Sequence, residues 1–218
     1  MYFHDRAQAG QLLASNLASY RGEPIAVVAL SPGGLLVGEQ IALQLHASLN
    51  LLLTSRISAP GDDSLVIGTM DQTGLFTYNS MIAAGQMEEY LQDMRTYMEE
   101  EKLRQMYHMT TAIGANGMAD PEDLRDKTII IATDGVKNGM SFDAALHYLG
   151  RIRTARIVAA IPVGPAETID RLSHIMDRVE CLYIPDNFFT VSHYYTDEDD
   201  VNPDLALRSL TDVQARWR

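Results

Sequence analysis

The sequence predicts an α/β fold, an open, doubly wound, mainly parallel sheet flanked by helices, and three observations predict it. Residues 25–30 form a continuous apolar run that stops at Ser31, Pro32, Gly33 and Gly34, after which Val37, Ile41 and Leu45 recur at a helical interval. A second apolar run over residues 49–54 completes strand, helix and strand, which fits a right-handed crossover between parallel strands. From residue 128 onward short apolar runs again alternate with helical patterns, as they do when such a sheet is extended.

Each element has a local reason. Residues 5–20 read as a helix, with Asp5 as its cap, Leu12, Leu13 and Leu17 at helical spacing, and Arg21 and Gly22 at its close. The run over 25–30 is rich in β-branched side chains and apolar throughout, the mark of a strand buried on both faces. The next helix is expected to begin just past the two glycines. Residues 65–70 and 74–78 read as strands joined by Asp71, Gln72 and Thr73, a hairpin signal. Residues 79–109 hold a long helical pattern, continuous or broken, with Met87, Leu91, Met94 and Met98 in one stripe. Glu88, Glu89, Asp93, Glu99, Glu100 and Glu101 lie off that stripe and read as a solvated face. Residues 114–126, with Gly117 and Pro121, have loop composition. A strand over 128–132, a helix over 141–149, a strand over 156–162, a helix over 166–176 and a strand over 180–184 follow. The chain turns acidic at residues 197–200 and recovers a short helix over 204–213.

Composition narrows the function classes. With 218 residues, and domains of about 150 residues as the norm, one sizeable domain with an appendage is expected, and residues 1–218 are read as a single domain. Lys and Arg number 17 against 29 Asp and Glu, a net charge of −12, and the pI near 4.8 argues against nucleic acid or anionic lipid as partner. Hydrophobic residues at 46% and charged residues at 21% suffice for a real core and exclude global disorder. No apolar stretch reaches membrane-spanning length, and His4, Asp5 and Arg6 stand where a signal peptide would be apolar, so a cytoplasmic location is expected. Cys181 is the only cysteine, which rules out an intramolecular disulfide, and its neighbours suggest burial in a strand.

In an open parallel sheet ligands bind beyond the carboxyl ends of the strands, and two loops there have suitable residues. Ser31, Pro32, Gly33 and Gly34 permit close backbone approach before a helix, which suits a phosphate and equally suits a plain turn. The second loop runs Thr133, Asp134, Gly135, Val136, Lys137, Asn138, Gly139, Met140 and Ser141. Asp134 can accept hydrogen bonds from ribose hydroxyls, while Asn138, Ser141 and the backbone near Gly139 surround a helix N-terminus that favours an anion. Lys137 adds positive charge. The spacing does not fit the Walker pattern, and His108, His147 and His174 lack a second ligand at metal spacing, so no protein-chelated metal is assigned.

These residues resemble a known family. The string IIIATDGVKNGMSFDAALHYL is similar to the ribose-phosphate loop of type I phosphoribosyltransferases, in which two adjacent acids follow a hydrophobic strand and precede a Thr-Gly-x-Thr turn. FHDRAQAGQLLA, ALSPGGLLVGEQIALQL, RISAPGDDSLVIGTMDQTG, ARIVAAIPVGP and YIPDNFFTVSHYYTD are similar to bacterial stand-alone phosphoribosyltransferase-domain proteins, and with that loop they cover nearly the whole chain. The resemblance implies a type I phosphoribosyltransferase fold with a small hood from about residues 1–22 and 185–218. The helical insertion over 79–109 then packs beside the core or makes a homo-oligomer contact. It implies a phosphosugar or nucleotide as small-molecule partner, and Mg2+ carried by phosphoribosyl pyrophosphate instead of chelated by the protein.

The departures bear on function. Thr133 precedes Asp134 where the family has two acids, and Asn138, Gly139, Met140 and Ser141 stand for Thr-Gly-x-Thr. The family's pyrophosphate loop reads Pro-Arg-Gly-Gly, so its arginine is missing here. Stabilising departing pyrophosphate is the main electrostatic task of such an enzyme, and Arg56, beside the position where the family tends to carry a lysine, is the expected substitute. Asp5 and Arg6 match the family's Asp-Arg pair, although a helix cap with a surface ion pair weighs above substrate contact for them. His193, Tyr194 and Tyr195 suit a base pocket or a packing element. Two readings follow: a transferase moving a 5-phosphoribosyl group between phosphoribosyl pyrophosphate and an unidentified, nucleobase-like acceptor, or a catalytically degenerate relative that binds a ribose 5-phosphate or nucleotide in a regulatory role.

Overall fold

The computed structural model describes residues 2–113, 119–197 and 201–216. The chain divides into two compact units, Met1–Leu52 with Gly117–Gly139 and Ile152–Arg218, and Leu53–Asn116 with Met140–Arg151.

The first unit is built on five parallel strands: β1 (Ile25–Ala29), β2 (Ser48–Leu51), β6 (Thr128–Ala132), β7 (Arg156–Val163) and β8 (Arg178–Tyr183). Their order across the sheet is β2-β1-β6-β7-β8. Strands β1 and β6 are buried at every residue, as a continuous Ile/Val run demands when both faces are covered. β8 is an edge, only partly buried, and keeps Arg178 and Glu180 paired at 2.8 Å. Cys181 lies on this strand, and burial pushes its thiol up to about 11.

Helices α1 (Arg6–Asn16) and α2 (Pro32–Leu45) pack on each other. Gly10 permits this, since a Cβ there would stand 2.6 Å from the Val37 carbonyl. The start of α2 corrects the sequence expectation. Ser31 is its N-cap, accepting the Gly34 N–H at 2.9 Å, and Pro32 is its first residue, so both glycines lie inside the first turn. A Ser-Pro pair is a cap and first helical position in sequence, and it outweighs the breaker signal of two glycines. The remaining helices of this unit are α5 (Pro121–Leu124), α7 (Ala166–Ser173) and α8 (Pro203–Arg216), the last packing on α2 and β2. Helix α5 falls within the expected loop over 114–126, of which residues 114–118 lie outside the described residues. Its Asp123 accepts hydrogen bonds from Ser48 at 2.7 Å, Asn50 at 2.8 Å and Lys127 at 2.7 Å. The acidic stretch at 198–200 also lies outside the described residues.

The second unit holds an antiparallel sheet of β3 (Thr54–Ala59), β4 (Asp62–Asp71) and β5 (Phe76–Tyr78), with α3 (Ala84–Asp93), α4 (Arg95–Ile113) and α6 (Met140–Leu149). The expected strand over 49–54 is therefore two strands in different sheets. β2 ends at Leu51, Leu52 still donates its N–H to the Ala29 carbonyl, and the chain then turns to pair β3 with β4. The expected β4/β5 hairpin is present, its turn held by Asp71 Oδ1, which accepts from Thr73 and Leu75. The long helical pattern is broken at Met94, and its methionine stripe packs with Ile57, Ile67 and Met70 in one core. Among the described residues no helix is long and apolar enough to cross a membrane.

Two outcomes follow. Gly10→Val should overpack the α1/α2 contact and cost about 1–3 kcal/mol in urea unfolding, with the denaturant slope unchanged. For Asp123, burial raises the carboxyl, but Lys127, Asn50 and Ser48 together outweigh it and hold the group below its ordinary 3.8. Its stabilisation is thus complete above that pH and is lost as pH falls through the folded value. Asp123→Asn should lower the melting temperature at pH 7, on the order of 1 kcal/mol for a half-exposed group, and the gap from wild type should close in acid.

Candidate functional site

The loops after β1 and β6 are neighbours because those strands pair in parallel, with Ala29 opposite Ala132 and the Leu30 N–H on the Ala132 carbonyl. After β1 the chain returns to β2 on one side, while β6 stands on the other, so the two loops flank a topological switch point, where sheets of this kind open a crevice.

Asp134 stands in that crevice. Its Oδ2 takes the Arg6 Nε–H at 3.3 Å, and its Oδ1 takes the Ser31 hydroxyl at 3.4 Å. A Cβ on Gly33 would collide with this carboxylate, and one on Gly34 would stand 2.8 Å from the Ala132 carbonyl. The glycine pair is thus required by the close approach of the first turn of α2 to residues 132–134. Tyr195, 1% exposed, donates its hydroxyl to the Asp134 backbone carbonyl at 2.5 Å, and the Arg6 guanidinium lies 4.4 Å above its ring. Burial, with the Asp134 carboxylate adding to it, drives the Tyr195 hydroxyl well above its ordinary pKa, so it stays a donor.

Arg6 corrects the expected surface ion pair. It is 7% exposed, and its partner is Asp134, 128 residues away. Asp5 does cap α1, accepting the Gln8 N–H at 2.7 Å, and that bond holds its carboxyl below the ordinary value. Phe3 forms a parallel bridge with Tyr195, its N–H on the Tyr194 carbonyl at 2.8 Å and its carbonyl taking the Thr196 N–H. Tyr194 is buried and donates to the Asn187 carbonyl at 3.1 Å.

The loop from Thr133 to Gly139 is held from behind. Thr133 Oγ1 donates to the Gly135 carbonyl at 2.9 Å and accepts the Gly135 N–H at 3.4 Å, so the residue in place of the family's first acid is buried and spent on the loop itself. Val136 donates its N–H to the Val163 carbonyl, and a Cβ on Gly135 would meet Val191 at 2.9 Å. Two residues of α7 that sequence reasoning missed complete the support: Thr168 Oγ1 donates to the Lys137 carbonyl at 2.8 Å, and Arg171 Nη2 to the Asn138 carbonyl at 3.0 Å. Their three-residue spacing on a helix just after β7 was the available signal. Gly139 has φ +72, and a side chain there would strike Arg171. The Lys137 side chain is exposed.

Residues 31–34 and 133–139, Arg6 and Tyr195 therefore belong to the first unit. Ser141, the second residue of α6, and Arg56, exposed on β3 and paired in register with Thr69, belong to the second. Beyond β8, Tyr2, Tyr183, Asp186, Phe189, His193 and Tyr194 line an open cleft of about 260 Å³. Among the described residues no three His, Cys, Asp or Glu side chains gather where a metal could sit.

A phosphoribosyl transferase domain model matches residues 4–199. A Mycobacterium tuberculosis H37Rv protein, classed provisionally as a phosphoribosyl transferase, is 27% identical over 205 residues, which is 91% of this chain and 45% of the relative. The chain thus spans about half the length of the curated relatives it matches. A Thermus thermophilus protein of known structure superposes with a TM-score of 0.74 at 28% identity, covering 97% of this chain and 99% of that one. A Neisseria gonorrhoeae protein with bound ppGpp shares the fold at a TM-score of 0.51 and 11% identity, over 97% and 94% of the two chains.

Gly33→Ala should push the Asp134 carboxylate off Arg6 and Ser31. The Asp134 side chain is 18% exposed and its carboxylate can swing aside, so thermal melting should show a loss of about 1–3 kcal/mol, whereas Gly85→Ala, in α3 with open space around it, should stay within about 1 kcal/mol.

Proposed function

The chain belongs to the phosphoribosyl transferase family, and we propose that it transfers a 5-phosphoribosyl group between phosphoribosyl pyrophosphate and a planar, nucleobase-like acceptor. The observation that carries this reading is Asp134, a single carboxylate at the switch point, flanked on one side by the glycine pair of α2 and on the other by a loop braced from α7. In this reading Asp134 turns to the ribose hydroxyls, and the backbone of Lys137, Asn138 and Gly139, with the Lys137 ammonium, takes the 5′-phosphate. The first turn of α2, with no Cβ at residues 33 and 34, takes the diphosphate.

In the transfer, the bond from the sugar carbon to the diphosphate oxygen breaks as the bond to the acceptor forms, and negative charge collects on the departing diphosphate. The Gly33 N–H, held in the first turn of α2 by the Ser31 cap, meets that charge without reorganisation. Asp134, already shared between Arg6 and Ser31, suits sugar hydroxyls better than a metal, so magnesium is assigned to the diphosphate that carries it in. There it would neutralise part of the leaving charge. The acceptor is assigned to the aromatic cleft beyond β8. Tyr194 lines that cleft, and the next residue, Tyr195, donates to the Asp134 carbonyl. Aromatic walls suit a flat ring.

Calorimetric titration with magnesium and phosphoribosyl pyrophosphate, ribose 5-phosphate and a nucleoside 5′-monophosphate tests the reading. The pyrophosphate donor should bind tightest, and Asp134→Asn should weaken it at least tenfold, about 1.4 kcal/mol. Equal affinity for all three ligands would instead fit a nucleotide-binding relative without transfer.

A further inference from the structure

Arg6 is a buried cation with unused donors. Only its Nε makes a hydrogen bond to a described residue, at 3.3 Å to Asp134, and among the described residues Nη1 and Nη2, with four N–H groups, make none. Its plane is held over the Tyr195 ring at 4.4 Å, and residue 6 is 7% exposed, so the guanidinium is fixed before any ligand arrives. Among the described residues the buried side-chain atoms without a partner are Thr69 Oγ1 and Asp71 Oδ2, so the Arg6 terminal nitrogens keep contact with the cleft that Arg6 lines, and an anion that accepts from both completes the site as a bidentate fork. The position selects the anion. Arg6 Nε meets Asp134 Oδ2, and this same oxygen lies against the Cα of Gly33, so the guanidinium stands beside the first turn of α2.

Resting on the donor-site reading above, we infer that Arg6 is the cation that binds the donor's diphosphate, supplied from α1 in place of the arginine absent from residues 31–34. When ribose hydroxyls take Asp134, the guanidinium exchanges a carboxylate for a phosphate and keeps its seat on Tyr195. Arg6 also lines a cleft of about 240 Å³ with Asp5, Glu39 and Asp197. That acidic rim repels a bare polyanion, so the ligand class is a diphosphate already carrying a divalent cation.

The test titrates inorganic pyrophosphate, with and without magnesium, and ribose 5-phosphate into wild type, Arg6→Gln, Arg6→Lys and Arg56→Ala, each checked for folding by thermal melting. Wild type should bind both ligands, and pyrophosphate only with magnesium. Arg6→Gln should weaken magnesium pyrophosphate at least tenfold and change ribose 5-phosphate by less than threefold, Arg6→Lys should recover part of the loss, and Arg56→Ala should lose neither. Equal weakening of both ligands would make Arg6 a structural partner of Asp134 and overturn the inference, as would a pyrophosphate loss carried by Arg56 alone. If Arg6→Gln melts below the assay temperature, Arg6→Lys decides, since loss of the fork must then lower magnesium pyrophosphate selectively. Wild type that fails to bind ribose 5-phosphate sinks the donor-site reading itself, whereas ribose 5-phosphate binding with pyrophosphate indifferent to residue 6 sinks only the inference.

Discussion

The Asp134 carboxylate is the contact on which the crevice depends. A carboxylate at the end of a buried strand needs donors, and this one draws them from two parts of the chain, Arg6 at the start of α1 and Ser31 at the cap of α2, with β6 set beside β1 by the sheet order. Gly33 follows from it, because the helix start lies against the acid, while Gly34 answers to the Ala132 carbonyl. Tyr195 closes the arrangement from the far end of the sequence, bonding the Asp134 carbonyl and carrying the Arg6 plane. Each of these groups uses a contact that another supplies.

The parallel sheet was legible because its central strands are continuous Ile and Val runs with no polar interruption, and such runs have one favourable environment. Strand β3 was not. Its sequence, Thr54–Ala59, alternates Ile57 and Ala59 with polar residues over only six positions, and the apolar residues 49–53 ahead of it blur where the first sheet ends. The two loops of the crevice were legible from their Gly, Asp, Asn and Ser content at strand ends. The role of Arg6 was not, because no local pattern connects residue 6 with residue 134; an arginine after a helix cap looks like any surface arginine. Thr168 and Arg171 were hidden similarly, since their partners are backbone carbonyls, which carry no sequence signature.

Thr133 shows how a departure from a family pattern can be coherent. A second acid beside Asp134 would call for another donor in a region where Arg6 and Ser31 are already engaged. The threonine avoids that demand and uses its hydroxyl both to donate to and accept from Gly135, so the turn keeps its shape with one charge fewer. With Pro32 where the family carries arginine, one positive charge is also gone from the loop facing it, and Arg6 against Asp134 leaves a balanced pair inside the acidic rim of Asp5, Glu39 and Asp197.

That balance of charge bears on the recognition proposed for this chain. A net charge of −12 sets up a field that repels polyanions at a distance, but at physiological salt that field fades over about 8 Å. Steering therefore contributes little, and affinity for a phosphorylated ligand has to come from donors in direct contact with it. The donors of the proposed site meet that requirement. The backbone at 137–139 is braced from behind by Thr168 and Arg171, the first turn of α2 is fixed by the Ser31 cap, and Arg6 is seated on an aromatic ring. Groups held this firmly lose little freedom on binding, which offsets the weak long-range attraction. A surface rich in lysine would attract phosphates of every kind, whereas in the proposed reading preset donors on either side of Asp134 select for the spacing of the charges along the ligand.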